Sequence, residues 1–210
     1  EAPQLSLLPT ELICAEDLCK HTLVARFHPH RLSVEAFSQV TKSWELHERP
    51  VVGLLDRRQI MVQFGSEKDL IIAWSRASRR CGDSSFYFFR WDFEFHMKRD
   101  ASSISTWVSL PDLPLSFQNP LILYEIGSMI GRFLCSDQRT ESVSHPVFPR
   151  ICVEVDVARP PVSCVWITDD KQFRWMHEVV FESWMKFCVK CKRLGNLEDV
   201  FHRGGLDAHS

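Results

Sequence analysis

The chain has 210 residues, 45% of them hydrophobic and 25% charged, with 25 Lys and Arg against 27 Asp and Glu for a formal net charge of −2. That is globular composition, enough for one large or two small domains, and it excludes the strongly basic profile of a nonspecific nucleic-acid binder. No apolar run approaches the roughly 20 residues of a membrane span, and the acidic start EAPQLSLLPTELICAEDLC lacks the basic n-region of a signal peptide, so an intracellular protein, nuclear or cytoplasmic, with no membrane partner is expected.

Eight Cys at scattered positions read as reduced thiols in such a compartment. Charge is uneven along the chain. Residues 57–99 carry nine basic against five acidic side chains, and residues 186–210 carry five against three, while the other stretches are acidic. A basic middle and a basic tail suit a polyanionic partner, although solvated faces would give the same counts.

In chain order, residues 1–20 form an acidic, poorly patterned lead. Thr22 to Phe27 reads as a strand and HPHR as a turn. Ser33 caps a helix expected to run to about Leu46, with Val34, Phe37, Val40 and Trp44 near one face. Val51 to Leu55 and Gln59 to Phe64 read as a hairpin closed at Asp56-Arg57-Arg58. Ser66-Glu67-Lys68-Asp69 resembles a capping box, followed by Leu70, Ala73, Trp74 and Ala77 at helical spacing, and Cys81-Gly82-Asp83 is expected to end that helix. Ser85 to Trp91, SFYFFRW, is an aromatic run with β propensity. The order strand, helix, strand, strand, helix, strand is that of a ferredoxin-like, RNA-recognition-like βαββαβ half over residues 21–100.

Residues 101–183 form a second, β-rich half built on one long helix. A strand around Trp107 leads through a double-proline turn to a helix capped by Asn119, with Pro120 at its first position. Ile122, Ile126, Met129, Ile130 and Phe133 fall on one face of it, and Glu125, Ser128 and Arg132 on the other. Gly127 and Gly131, one turn apart, predict a close approach by another backbone. Asp137 to Pro149 is a polar loop, and Ile151 to Val157 alternates as a half-buried strand. Ser163 to Thr168 reads as a further strand, and Phe173 to Glu182 as a last strand of the same sheet. Beyond Trp184 the periodicity fades, leaving residues 184–210 as a tail.

Three constellations carry chemistry. Cys188 and Cys191 have the C-x2-C spacing of a zinc knuckle, which a His and a further Cys normally complete. The knuckle spacing places those ligands at Asn196 and Phe201, which cannot act as such, and His202 is one residue out of register. Zinc is thus the one cofactor the pattern admits, through an incomplete site, and the residues favour a knuckle that has lost its metal. The second constellation is a nucleic-acid surface on the first sheet. Arg26, Arg57, Arg58 and Arg90 would contact phosphates, with Phe64 and Phe27 on the central strands and Lys190, Lys192 and Arg193 adding charge from the tail. Most of the rings are better explained as core, because β-rich cores consume aromatics heavily, and surface stacking is the minority reading. The third is catalysis. His28-x-His30 in a turn is the only metal-like pair elsewhere, and no nucleophile elbow, P-loop or glycine phosphate cradle is present, so a non-catalytic protein is expected.

Several stretches resemble one plant family. Leu23-Val24-Ala25-Arg26-Phe27, Arg90-Trp91-Asp92-Phe93-Glu94-Phe95, Trp107-Val108-Ser109-Leu110-Pro111-Asp112-Leu113-Pro114, Ile126-Gly127-Ser128-Met129-Ile130-Gly131, Cys152-Val153-Glu154-Val155-Asp156 and Phe187-Cys188-Val189-Lys190-Cys191 carry the likeness, over roughly residues 11–201. The chain resembles the domain of unknown function that precedes a CCHC-type zinc knuckle in LINE-like retrotransposon first-open-reading-frame proteins and their host relatives. The resemblance implies nucleic-acid binding, zinc binding through the knuckle, and no catalysis. With Asn196 and Phe201 at the ligand positions, the knuckle is degenerate, as in a decayed copy of a mobile-element gene. The expectation is an α+β, retroelement-derived module that binds RNA or single-stranded DNA. The alternative is a protein–protein interaction scaffold that has lost both nucleic acid and zinc.

Overall fold

A computed structural model describes residues 6, 8–10, 13, 17, 19–76, 80–81, 83–91, 99–142, 147–168 and 174–195. The chain is mixed α+β, and among the described residues every strand pair is antiparallel. It divides into two compact units, Glu1–Lys98 and Arg99–Ser210. No helix among the described residues is long and apolar enough to cross a membrane.

The first unit runs β1 (Thr22–His28), α1 (Val34–Thr41), β2 (Val51–Leu54), β3 (Gln59–Gln63), α2 (Glu67–Trp74), β4 (Arg80–Cys81) and β5 (Ser84–Arg90). Its sheet has the order β2-β3-β1-β5-β4. Cross-strand partners share a face, so Leu23, Ala25, Phe27, Ile60, Val62, Phe86 and Phe88 all point one way. That is the helix side. Phe27 meets Phe37 of α1 edge-on at 5.3 Å, Phe37 does the same to Phe86 at 5.3 Å, and Trp44 meets Phe88 at 5.9 Å. Each such pair adds about 0.5–1.5 kcal/mol beyond the area it buries.

Helix starts follow the sequence, but helix ends do not. Ser33 caps α1 by accepting the Ala36 N–H at 3.1 Å, yet the α-helix stops at Thr41 instead of near Leu46. A 3-10 turn over Lys42–Trp44 follows, and Glu45 takes the left-handed conformation at φ 56°, which no helix continues through. Ser66 caps α2 by accepting the Asp69 N–H at 3.2 Å. That helix ends at Trp74, well before Cys81, which instead pairs with Ser84 in a short edge strand. Ala77 and Gly82 lie outside the described residues.

The second unit runs β6 (Ser103–Ser109), α3 (Pro120–Ile130), β7 (Arg132–Ser136), α4 (Gln138–Glu141), β8 (Arg150–Asp156), β9 (Cys164–Thr168), β10 (Arg174–Glu178), β11 (Val180–Phe181), β12 (Phe187–Cys188) and β13 (Arg193–Leu194). A four-stranded sheet has the order β11-β6-β8-β7, while β9-β10 and β12-β13 form separate two-stranded ribbons. Asn119 caps α3 by accepting the Ile122 N–H at 3.1 Å, with Pro120 opening the helix.

The two glycines of α3 explain how it lies on the sheet. A Cβ on Gly131 would sit 2.3 Å from the Glu154 carbonyl oxygen, and one on Gly127 would sit 2.6 Å from Phe133 Cδ2. The buried stripe is Leu123, Ile126, Gly127 and Ile130, whereas Met129 is exposed. Phe133 and Arg132, expected on the helix, belong to β7, because the chain leaves the helix at Gly131 and turns directly into a strand. The expected last strand over Phe173 to Glu182 is two strands in two sheets. β10 pairs with β9, and β11 pairs with β6. The intervening Val179 bonds to the Ser163 carbonyl at 2.9 Å.

Candidate nucleic-acid interface

The face of the first sheet opposite α1 and α2 is set by Thr22, Val24 and Arg26 of β1, Gln59, Met61 and Gln63 of β3, and Tyr87 and Phe89 of β5. Val24, Gln59 and Phe89 there are fully buried, and Thr22 nearly so. Phe27 and Phe64 are both buried; Phe27 lies on the helix side, and Phe64 continues that side beyond Ile60 and Val62. Of the rings along these strands, Phe27, Phe64, Phe86, Phe88 and Phe89 are buried, and Tyr87 is half-buried beside Arg26.

The expected arginines are used in different ways. Arg26 is half-buried beside Gln59 and Tyr87. Arg90 donates to Glu67 Oε1 at 3.3 Å and to the Lys20 carbonyl at 3.3 Å, and its guanidinium covers the Trp74 ring at 5.1 Å. That geometry locks the end of β5 to the start of α2. Arg57 and Arg58 are exposed at the tip of the β2–β3 hairpin. Asp56 Oδ1 accepts the Arg58 N–H at 2.6 Å and so fixes the turn. Among the described residues neither arginine has an ion-pair partner, so both are available for phosphate.

A feature of this unit that the sequence did not announce is the tie between Asp69 and the loop after Glu45. Asp69 is 1% exposed and accepts from the His47 backbone at 2.9 Å, from His47 Nδ1 at 2.8 Å and from the Glu48 backbone at 3.3 Å. The His47 ring opens onto a cleft of about 440 Å³ that Lys42, Glu45, Glu48 and Arg49 also line. Cations and carboxylates alternate around it, so the cleft has no dominant sign for a charged ligand. The bonds to Asp69 are those of a loop clamp.

In the second unit, the solvent side of the four-stranded sheet spends its arginines on acids. Arg150 is clamped by both carboxylate oxygens of Glu182 and by Asp137 at 3.0 Å, and its guanidinium lies 4.7 Å over the Trp107 ring. Hydrogen bonding to Glu182 raises its pKa further above the usual guanidinium value, against the cost of burial. Arg132 pairs with Glu154, and Arg159 with Asp156.

The β9–β10 ribbon is different. Its register puts Trp166 opposite Met176, Arg174 opposite Thr168 and Glu178 opposite Cys164, all on one face. The other face buries Val165 and His177. Trp166 is 50% exposed and Met176 60%, and the Arg174 guanidinium stacks 4.4 Å over the Trp166 ring. A half-exposed indole paired with a cation has the chemistry to stack a planar ring and to attract an anion. The sequence signal was present in the alternation of CVWIT, but Trp166 was read only as part of a strand.

At the tail, β12 and β13 fold the C-x2-C segment into a hairpin. The Cys191 N–H donates to Cys188 Sγ at 3.5 Å, the Lys192 N–H donates to the Cys188 carbonyl at 2.8 Å, and Lys192 sits at φ 54°. Buried Asp100 fastens this turn, accepting the Leu194 N–H at 2.9 Å while its own N–H donates to the Lys192 carbonyl at 2.8 Å. Lys190 and Lys192 are exposed and Arg193 is half-buried.

Cys188 and Cys191 would supply two of the four ligands of a zinc knuckle. Two sulfurs fall short of a tetrahedral set, and among the described residues no group of three or more His, Cys, Asp or Glu could hold a metal. Asn196, Phe201, His202 and His209 lie outside the described residues, and His28 and His30 are exposed at the end of β1 and in the turn after it. No protein-family model matches this chain, and no curated protein matches it either.

Proposed function

We propose that this chain is a non-catalytic module that binds RNA or single-stranded DNA, of the retroelement-derived kind its sequence resembles. The Trp166–Arg174 pair on the outer face of the β9–β10 ribbon carries the reading. It joins a sequence-tolerant stacking surface to a cation. Further charge comes from Arg57 and Arg58 on the hairpin of the first unit and from Lys190, Lys192 and Arg193 on the tail turn. The reading needs no metal. It also moves base stacking from the first sheet, whose phenylalanines are buried and whose Tyr87 is half-buried, to the ribbon.

We further read the first unit as a ferredoxin-like βαββαβ, in which β4 is an added edge. The order β2-β3-β1-β5 and its antiparallel pairing support this. The site of action would be inside the cell, in nucleus or cytoplasm. Filter binding of a single-stranded RNA oligomer at two salt concentrations tests the function. Binding that weakens as salt rises is expected, and no binding at low salt rejects the reading.

A second reading, a protein-interaction scaffold, is favoured by the outer side of α3. Leu121 is 78% exposed, Tyr124 52% and Met129 52%, an apolar surface larger than a helix needs for its own packing. Retained RNA binding in a Leu121→Glu, Met129→Glu variant would separate this surface from the nucleic-acid one.

A further inference from the structure

Three residues lie in one row across three strands of the second unit. Trp107 of β6 is directly opposite Cys152 of β8, and Cys152 is directly opposite Cys135 of β7. Neither cysteine is in a disulfide; Cys152 is buried and Cys135 half-exposed. This is the side of the sheet away from α3, whose glycines approach Ile151 and Val155 on the other side. Directly opposed residues on antiparallel strands have Cα atoms about 4.5 or 5.5 Å apart, depending on the hydrogen-bonding position. Both values fall within the roughly 4.4–6.8 Å span of a disulfide, and the two Cβ atoms point to the same side.

One neighbouring feature favours reaction here. The ladder shifts register between Phe133 and Cys135, so β7 carries an irregularity next to the half-exposed thiol, where the strand is less constrained.

We propose that Cys135 and Cys152 are a redox-active dithiol that hydroperoxides close into a cross-strand disulfide. The Cys135 thiolate attacks the peroxide oxygen, the O–O bond breaks, and a sulfenic acid forms as hydroxide leaves. The Cys152 thiol then attacks that sulfur, the S–S bond forms, and the sulfenic hydroxyl leaves as water with the Cys152 proton. With hydrogen peroxide, each disulfide consumes one peroxide and yields two waters, the proton shed by the Cys135 thiol joining the departing hydroxide; an organic hydroperoxide yields one water and its alcohol. Dithiothreitol reverses the step by exchange. The bond staples β7 to the centre of the sheet and places a disulfide, a quencher of indole emission, beside Trp107.

The test treats the full, reduced chain with hydrogen peroxide, blocks remaining thiols with N-ethylmaleimide, digests, and maps linked peptides by mass. The expected result is a Cys135–Cys152 link that dithiothreitol removes, with Trp107 emission falling on oxidation and recovering on reduction. Cys135→Ser, at the less buried position, abolishes both the link and the emission change, whereas Cys188→Ser leaves both intact. Recovery of Cys135 and Cys152 as separately alkylated or over-oxidised residues, or a link that joins either to Cys188 or Cys191 instead, overturns the proposal.

Discussion

Asp69 Oδ1 lies 2.8 Å from His47 Nδ1 and also accepts the His47 backbone N–H at 2.9 Å, across 22 residues of chain. Burial alone would raise the Asp69 pKa. The hydrogen bonds from His47 and Glu48 and the charge on the His47 ring outweigh it, and the carboxyl is held below its ordinary value of 3.8. The folded pKa is therefore below the unfolded one, and the clamp's stability is fully present above about pH 4 and is lost as pH falls through the lower, folded value. Asp69→Asn keeps the shape but turns a donor toward the backbone N–H groups, and is expected to cost about 2 kcal/mol at neutral pH. Urea titrations at pH 7 and pH 3 check this, because the difference between wild type and variant shrinks in acid.

His177 gives the opposite end of the same logic. Its ring is buried between the ribbon and the Leu110 backbone, and burial pushes its pKa below 6.5 despite the Leu110 hydrogen bond and the nearby Asp112 and Glu178 charges. A lowered folded pKa means the neutral ring is favoured in the native state. Stability is then complete above about pH 6.5 and declines as pH drops below it. His177→Leu is expected to flatten the change in unfolding midpoint between pH 7.5 and 5.5. A slope equal to wild type would assign it to other groups.

Gly131 and Gly127 make a graded pair. Alanine at Gly131 drives its Cβ toward a backbone oxygen, which cannot step aside, whereas alanine at Gly127 meets the edge of the Phe133 ring. Gly131→Ala is expected to cost about 2–3 kcal/mol by overpacking. Gly127→Ala should cost less, because the ring can shift and the helix gains about 1 kcal/mol of propensity. Equal effects in thermal unfolding would show that the helix is free to lift from β8.

What the sequence disclosed follows from local physics. Ser33, Ser66 and Asn119 were readable as caps because capping is decided within three residues, and the alternation of Ile151 to Val157 reports a half-buried strand directly. What it concealed depends on distant partners. Glu45 carries no mark of its left-handed turn, and the Asp69 carboxylate, read as part of a capping box, is turned instead to a loop more than 20 residues earlier. The stretch after Trp175 was divisible between two sheets only once β9 and β6 were both in place. The candidate site moved for the same reason. Aromatics of the first sheet were counted without knowing that Val24 and Phe89 on its outer face are buried, while the alternation of CVWIT marked a strand without saying which of its faces, and so whether Trp166, lies outward.

The most direct test of nucleic-acid binding at the ribbon is fluorescence anisotropy of a labelled single-stranded RNA titrated with wild type, Trp166→Ala and Arg174→Ala at several salt concentrations. Loss of the stacking ring is expected to weaken binding at every salt concentration, by the ~1–3 kcal/mol of one stacked base. Loss of the Arg174 cation should reduce the steepness of the log–log salt dependence by about one ion. Identical curves for wild type and both variants would contradict the account.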